Sequence, residues 1–174
     1  MTERPSRSTR TARGVVLVHS SPRALCPHLE WAVGTVLGEP VSCEWREQPA
    51  QRGSMRGEYY WEGPVGSGSK IASALHGWEQ LRYEVSEEAT ATTDGSRWMH
   101  TPALGIFHVQ TDTAGNTVVS EDRVRHAIEQ AGFDALALHQ QLRMALGQAW
   151  DDELEPFRWA GDLAAPVVWL HRAG

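Results

Sequence analysis

The 174-residue chain is 41% apolar and has a formal net charge of −6, which predicts one acidic domain or one domain with an appended subdomain. Residues 1–13 carry a net charge of +3, so the rest of the chain has −6 − 3 = −9, and this acidic body argues against nucleic-acid binding, which needs clustered cations. With two cysteines, no apolar run of about 18 residues and no signal-peptide core, the sequence predicts a cytoplasmic protein without a membrane span.

The first thirteen residues form a basic segment. They contain Arg4, Arg7, Arg10 and Arg13 among proline, serine and threonine, and they show no apolar periodicity. We therefore expect residues 1–13 to be a disordered basic tail.

Residues 14–90 show apolar patterning in the order strand, helix, strand, strand, helix, strand. This order is the βαββαβ signature of a ferredoxin-like fold, an α+β architecture with an antiparallel sheet and both helices on one face. The run of four apolar residues in the strand 14–19 indicates cover on both faces, so we place it in the middle of the sheet. The other predicted elements are helices at 27–37 and 69–80 and strands around 41–46, 55–62 and 81–86.

The second face of the predicted sheet is charged except near its middle strand. We expect Val16 and Val18 to point to this face and form a narrow apolar stripe. Because exposed apolar surface is unfavourable, the C-terminal part of the chain or a partner subunit should cover the stripe.

A second unit is predicted at 96–149, after a polar break at 90–96. It begins with a β-hairpin, whose strands at 104–110 and 117–119 flank a turn rich in Asp, Gly and Asn. Ser120 and Asp134 are N-cap residues of two helices, the second reaching about Ala149 with Leu138, Leu142 and Ala145 inward. The remaining residues, 150–174, form an acidic and aromatic segment that packs on the rest.

His19, Cys26 and His28 lie where the central strand meets the first helix, and they are the candidate catalytic residues. A cysteine at a helix N-terminus has its thiolate stabilised by free N–H groups, and either histidine could serve as its base. The three could hold zinc only with a fourth ligand, such as His100 or His108. The alternative is an inert buried cysteine beside histidines that make local hydrogen bonds. No metal or cofactor is predicted.

A glycine-rich segment, GPVGSGSK at 63–70, precedes the second predicted helix. Ser69 separates Gly68 from Lys70, a departure from the phosphate loop that argues against an ATPase or GTPase. Backbone amides at a helix N-terminus can still bind an anion, so Gly66, Gly68, Ser69 and Lys70 are candidate ligands for a small anionic molecule. The alternative is a plain connection with a serine as helix cap.

Aromatic side chains provide the third candidate feature. Trp150, Trp159 and Trp169 fall outside strong periodicity, and Tyr60 is the outward aromatic residue of a predicted strand. Large rings with a polar group are favoured at interfaces, so these four residues are candidates for partner binding. Packing within the chain is the alternative.

Three sequence stretches carry a resemblance: GVVLVHSSPRALCPHLEW at 14–31, TPALGIFH at 101–108 and SEDRVRHAI at 120–128. They resemble an actinobacterial family catalogued as domain of unknown function 3145. The resemblance covers most of the chain after the arginine-rich tail and is weakest after Trp150. It implies a cytosolic actinobacterial protein with a gene context near type II fatty-acid synthesis, and it carries no assigned catalytic or binding residue.

The sequence thus favours a non-catalytic cytosolic binding or regulatory module, with a protein partner or self-association. If the gene context is informative, an acyl-chain enzyme or carrier is a candidate partner. One alternative is a small enzyme or redox protein that uses Cys26 with His19 or His28. The other is a sensor of anions or phosphorylated metabolites at the loop 66–70.

Overall fold

The computed structural model describes residues 11–162, a mixed α+β structure in which a seven-stranded antiparallel sheet packs with five helices. The strands are β1 (Thr11–Pro22), β2 (Arg46–Glu47), β3 (Ser54–Pro64), β4 (Arg82–Glu87), β5 (Gly95–Thr101), β6 (Gly105–Thr111) and β7 (Thr117–Val118). The helices are α1 (Cys26–Leu37), α2 (Ser67–Leu75), α3 (Glu121–Ala131), α4 (Ala135–Ala145) and α5 (Gln148–Asp162). The predicted tail residues 1–10 and the end of the chain after 162 lie outside the described residues.

The sheet has the order β2-β3-β1-β4-β5-β6-β7. As predicted, the strand that contains residues 14–19 is interior, since β1 pairs antiparallel with both β3 and β4. It begins earlier than expected, because Thr11, Ala12 and Arg13 already pair with β3. The register of β1 shifts after Val18 on both sides, so a bulge interrupts the strand close to His19.

The main core lies between the sheet and the helices α1 and α2. It contains Val16 and Val18, which contradicts the prediction that they face the other side. Val15 and Leu17 are on the second face instead, where Leu17 is paired with Glu84. A run of four apolar residues shows no alternation, so the sequence could not decide which valines face the helices.

The strand predicted over 41–46 is wrong for residues 41–45, which do not pair in the sheet. β2 contains only Arg46 and Glu47. The backbone N–H of Cys43 and the indole N–H of Trp45 both donate to Oε1 of Glu30, at 2.8 and 3.0 Å. These contacts hold the segment against α1, so its alternating pattern reflects packing on a helix and not pairing in the sheet.

The sheet is larger than the predicted four strands. β5, which occupies Gly95–Thr101, was missed because its first residues were assigned to a polar break. It pairs with β4 on one side and β6 on the other, so the predicted hairpin extends the same sheet as β6 and β7. Ser120 caps α3 and Asp134 caps α4 as predicted, but the chain then turns at Gly147 and α5 begins at Gln148.

The second face of the sheet is covered by α5. Its residue Leu154 is fully buried against Met99, Phe107 and Val109 in a second, smaller core. Of the two expected covers, a C-terminal segment and a partner subunit, the structure shows a C-terminal helix, but it covers Met99, Phe107 and Val109 and not a stripe of Val16 and Val18. This helix also delivers the charged side chains of the candidate site.

Candidate functional site

Five ionisable side chains meet between the sheet and α5, and we call them the Glu84 cluster. They are His19 of β1, Glu84 of β4, Arg97 of β5, and Asp151 and Arg158 of α5. Oε1 of Glu84 accepts hydrogen bonds from His19 Nε2 at 2.8 Å and Arg158 Nε at 2.7 Å. Its Oε2 accepts from Nε and Nη2 of Arg97 at 2.9 and 2.7 Å. Asp151 Oδ1 accepts from both arginines, at 2.9 Å each.

Burial makes the charge balance of this cluster important. The side chain of Glu84 is only 3% exposed. Burial by itself raises the pKa of a carboxyl, but Arg97, His19 and Arg158 hold the pKa of Glu84 well below its ordinary value of 4.5. Burial lowers the pKa of Arg97, but Glu84 and Asp151 outweigh that effect and raise it above its ordinary value. Glu84 is therefore an ionised carboxylate in the interior.

The polar contacts of α5 continue beside the cluster. Glu153 accepts a hydrogen bond from Thr101 Oγ1 at 2.7 Å and lies 3.4 Å from the Arg82 guanidinium. That guanidinium also stacks over the ring of Phe157, with its carbon 4.4 Å from the ring centroid. Gln48 joins β1 to α5, since its Nε2 donates to the carbonyls of His19 and Phe157 at 2.6 and 3.2 Å.

These contacts indicate that the Glu84 cluster has a structural role and not a catalytic one. Both oxygens of Glu84 and the shared oxygen of Asp151 accept hydrogen bonds within the chain. A buried ion pair gives modest net stability, but removing one partner leaves an uncompensated charge in the interior. The Glu84 cluster therefore fixes where α5 lies on the sheet.

The Glu84 cluster was not predicted from the sequence. The second face of the sheet was expected to be charged, and no motif marks Arg97 or Arg158. The alternation of β4 correctly predicts that Glu84 lies on the second face. Its burial results from α5 covering that face, which the strand pattern does not reveal. No local sequence signal pairs Glu84 with a residue 74 positions away, as Arg158 is.

The structure separates the candidate catalytic residues. His19 contacts Glu84 on the second face, whereas Cys26 begins α1 on the first face and its thiol contacts the carbonyl of Pro22 at 3.8 Å. His28 is exposed on α1. Burial raises the pKa of the Cys26 thiol, and a nearby Ser21 hydroxyl only partly opposes this effect. Burial likewise raises the pKa of Cys43 to about 11.

The glycine-rich loop binds an anion of its own chain. The amides of Gly66 and Gly68 donate to Oε1 and Oε2 of Glu87 at 2.7 and 2.8 Å. Ser69 and Lys70 are exposed in the first turn of α2. An external anion would have to displace the Glu87 carboxylate to reach the same amides. The sequence analysis recognised the anion-binding geometry of this loop but did not anticipate an internal ligand.

The candidate partner-binding aromatics lie in different environments. Trp150 packs on Phe107 with ring centroids 4.8 Å apart, and its indole N–H donates to the Gly105 carbonyl at 2.9 Å. Tyr60 is largely exposed, and so is Trp159, whose N–H bonds to Glu155 at 3.1 Å. The fourth candidate, Trp169, lies outside the described residues.

A different apolar surface stands out on α4. Phe133, which precedes the helix, is fully exposed, and Leu136 and Met144 are 66% and 59% exposed. We call these three residues the α4 stripe. The inward positions predicted for Leu138 and Leu142 are only half-buried, and no residue of α4 is fully buried in the described structure.

The sequence matches the family described as "Protein of unknown function (DUF3145)" over residues 15–172. The chain belongs to the DUF3145 family. No curated protein and no solved structure matches the chain. The family match includes the residues of the Glu84 cluster and the α4 stripe, so both features lie within the part of this DUF3145 protein that the family covers.

Two further properties concern ligands and membranes. Within residues 11–162, no group of three or more His, Cys, Asp or Glu side chains is arranged to hold a metal ion. In the same part of this DUF3145 protein, no helix combines the length and apolar character needed to cross a lipid bilayer.

Proposed function

We propose that this DUF3145 protein is a non-catalytic binding module whose partner surface is the α4 stripe. The proposal depends on a contrast between the interior and the surface. The ionisable groups of the Glu84 cluster are paired with one another inside the chain, whereas Phe133, Leu136 and Met144 expose large apolar side chains. Exposed apolar surface of this kind is typical of protein-interaction sites.

The fold supports the proposal in one respect. The order β2-β3-β1-β4 of the first four strands, with α1 and α2 on one face, supports a ferredoxin-like arrangement of this part of the chain. We propose that residues 14–90 form a ferredoxin-like unit, that 96–149 add a hairpin-plus-helical unit, and that 150–174 are an acidic and aromatic C-terminal segment. Because this architecture serves many activities, it supports a binding role without requiring one.

The enzymatic alternative has less support. Cys26 makes its hydrogen bond to Pro22, His19 is engaged by Glu84, and burial raises the pKa of the thiol. A nucleophilic cysteine needs the opposite conditions, an exposed thiolate beside a base. A Cys26 alkylation rate that titrates well below about 8.5 would restore this alternative.

The second alternative, a sensor of anions at Gly66–Lys70, competes with Glu87 for the same two amides. It retains support from the exposed Lys70 beside the loop. We rank it below the binding module because an external anion must displace the Glu87 carboxylate. The hydrogen bonds that the anion forms with the two amides only replace those that Glu87 loses.

The cellular setting belongs to the same proposal. The resemblance in the sequence analysis implies a cytoplasmic actinobacterial protein near type II fatty-acid synthesis, so an acyl-chain enzyme or carrier is the candidate heterologous partner. The acidic composition continues to argue against nucleic acid as a partner.

Affinity capture with matched variants tests the proposal. Wild type, Leu136→Glu and Trp31→Glu would be used as baits in an actinobacterial lysate. Trp31 is an equally exposed residue, but it lies on α1 at the opposite face of the sheet. We expect wild type and Trp31→Glu to retain the same protein, which Leu136→Glu loses while its melting temperature is unchanged. Equal retention by all three baits would contradict the α4 stripe as the partner surface, and absence of fatty-acid enzymes or carriers would remove the proposed link.

A further inference from the structure

We propose that the C-terminal segment of this chain adds a further strand to the sheet, at the outer edge of β3. The residues concerned are 167–170, with the sequence Val-Val-Trp-Leu, and they pair with the backbone of Glu58, Tyr60 and Glu62. This inference goes beyond the proposed function and does not depend on the α4 stripe. It follows from the unpaired edge of β3, the path of α5 and the charges along the edge.

The outer edge of β3 is unpaired over most of its length. β1 pairs with β3 from Ser54 to Pro64, whereas β2 pairs on the other side only with Met55 and Arg56. Within residues 11–162, no strand pairs with the outer edge beyond Arg56. An unpaired edge offers backbone N–H and C=O groups to a further extended segment, so it is a site for strand addition.

Glu58, Tyr60 and Glu62 provide the free groups. The Gln48 N–H donates to the Ser54 carbonyl at 2.9 Å, so Ser54 directs its carbonyl away from β1. The extra residue of the bulge between β1 and β3 lies in β1, so alternation along β3 is unbroken. Glu58, Tyr60 and Glu62 therefore direct their N–H and C=O groups outward. No backbone–backbone hydrogen bond from the described loops reaches them.

α5 leads the chain toward this edge. It begins at β6, where Trp150 donates to the Gly105 carbonyl, and it also contacts β5 and β1. The Phe157 carbonyl accepts from Gln48, which directly follows β2. The five residues from there to Asp162 advance the helix by about 7.5 Å, more than the spacing of about 4.8 Å between neighbouring strands. The helix therefore ends on the β3 side of the sheet.

The chain that follows α5 has the length and composition of an edge strand. Residues 163–172 still belong to the family match. Residues 163–170 contain no charged side chain, and Val167, Val168 and Trp169 are of types enriched in strands. The four residues 163–166 span up to about 13 Å when extended, enough to carry the chain from the end of α5 to the neighbouring edge.

Charge argues against a second copy as the occupant of this edge. If the β3 edges of two copies paired antiparallel around Tyr60, Glu58 of each copy would lie opposite Glu62 of the other. Like charges directly opposite one another destabilise a strand pair. The C-terminal segment after Asp162 contains no acidic residue, so it meets the same edge without this repulsion.

The basic end of the segment sets its direction. The chain leaves α5 near Gln48 and the start of β3, so the added strand runs parallel to β3 and reaches Glu62 last. His171 and Arg172, which follow the apolar run, then lie beside Glu62. Glu62 contacts Arg13 at 3.1 Å, but its side chain is 58% exposed and can accept a second cation.

Hydrogen exchange of single amides, measured by NMR on the full chain, tests whether the edge is paired. The amides of Tyr59 and Trp61 point toward β1 and provide an internal reference. We expect the Tyr60 amide to exchange at least about 100-fold more slowly than in an unstructured peptide. The inference is overturned if Glu58, Tyr60 and Glu62 all exchange at the unstructured rate while the two reference amides are protected.

Proline substitutions in the full chain test which segment pairs there. Val167→Pro and Val168→Pro remove neighbouring amides, which point in opposite directions in a strand, so one of them removes a donor to β3. We expect at least one variant to speed exchange of the Tyr60 amide about tenfold or more and to leave Trp61 protected. Ala173→Pro, outside the family match, is the control. Unchanged protection of Tyr60 in both valine variants overturns the inference.

Cysteine pairs test the position of the added strand. Tyr60→Cys is combined in turn with Val168→Cys and Trp169→Cys, whose side chains lie on opposite faces of an extended segment. One of the two combinations should form a disulfide within the chain on mild oxidation, identified by peptide mass spectrometry, and Tyr60→Cys with Ala173→Cys should not. A covalent dimer of the single variant Tyr60→Cys would place a second copy at this edge and overturn the inference.

Discussion

At the scale of single residues, buried carboxylates perform two different tasks. Glu84 binds side chains of three elements, and Glu87 binds the backbone at the start of α2. Both lie in β4, three residues apart, and so point to opposite faces of the sheet. The strand thereby uses one carboxylate to position α5 and another to position α2.

We expect Glu84→Gln to lower the free energy of unfolding at neutral pH by about 3 kcal/mol, because it leaves buried arginine charge undercompensated. The pKa of Glu84 is lowered in the folded state, so its stabilising effect is present above pH 4.5 and is lost as the pH falls through the lower folded pKa. The difference between wild type and variant should therefore shrink on acidification. Urea unfolding between pH 7 and pH 3 measures it, and Glu58→Gln, an exposed control, should show no such trend.

We expect Glu87→Ala to destabilise the protein by about 1–3 kcal/mol, because two backbone N–H groups lose their acceptor. Inorganic phosphate should then raise the melting temperature of the variant more than that of wild type, since the vacated amides can bind it. Glu88→Ala, which changes the exposed neighbour, is the control. An equal phosphate effect in wild type would instead support the sensor of anions.

Some of these residues could be predicted from the sequence and others could not. Gly66 and Gly68 were identified as amide donors because glycine-rich loops before helices have a recognisable composition. Glu87 could not be identified as their ligand, because its position depends on how β4 pairs beside β1. The same limit applies to Glu84, whose partners come from distant parts of the chain.

At the scale of elements, α5 is attached by two apolar residues, Leu154 and Trp150, and by a set of polar contacts. Leu154 fills the small core, while Asp151, Glu153 and Arg158 bind charged or hydroxyl groups of the sheet. Pro156 lies inside this helix and donates no backbone hydrogen bond. Side-chain contacts to the sheet therefore contribute much of what holds α5 in place.

We expect Leu154→Ala to destabilise the protein by about 2–5 kcal/mol, the usual cost of a cavity at a fully buried leucine. Hydrogen exchange should increase first in α5, because its most deeply buried apolar contact with the sheet is lost. Leu104→Ala, at an exposed site on the β5–β6 turn, is the matched control and should change the unfolding free energy by less than about 1 kcal/mol. A similar loss of unfolding free energy in both variants would contradict the conclusion that Leu154 holds α5 on the sheet.

The helix signals in the sequence were more reliable than the strand signals. Ser120 and Asp134 were predicted as caps and are caps, because capping is a local interaction between a side chain and nearby amides. The segment 41–45 has the alternation of a strand but docks on α1 through Glu30. α2 ends at Leu75, before the predicted end, because the chain turns at His76 toward β4.

At the scale of the whole molecule, one sheet separates two cores of unequal size. α1 and α2 cover the larger core, and α5 covers the smaller one. The sequence predicted the interior position of β1 and the need for cover on the second face. It could not predict a seven-stranded sheet, because β5 pairs through backbone groups and has no clear apolar alternation.

The interior position of β1 has a consequence for synthesis on the ribosome. β1 precedes both of its neighbours, and its pairing with β4 extends to Glu87. At about 5–20 residues per second, roughly 4–15 s pass between translation of β1 and completion of β4. Until β3 is complete at Pro64 the most apolar strand of the nascent chain has no partner, and until β4 is complete one of its edges stays unpaired, so we expect it to be a recognition segment for chaperones that act cotranslationally.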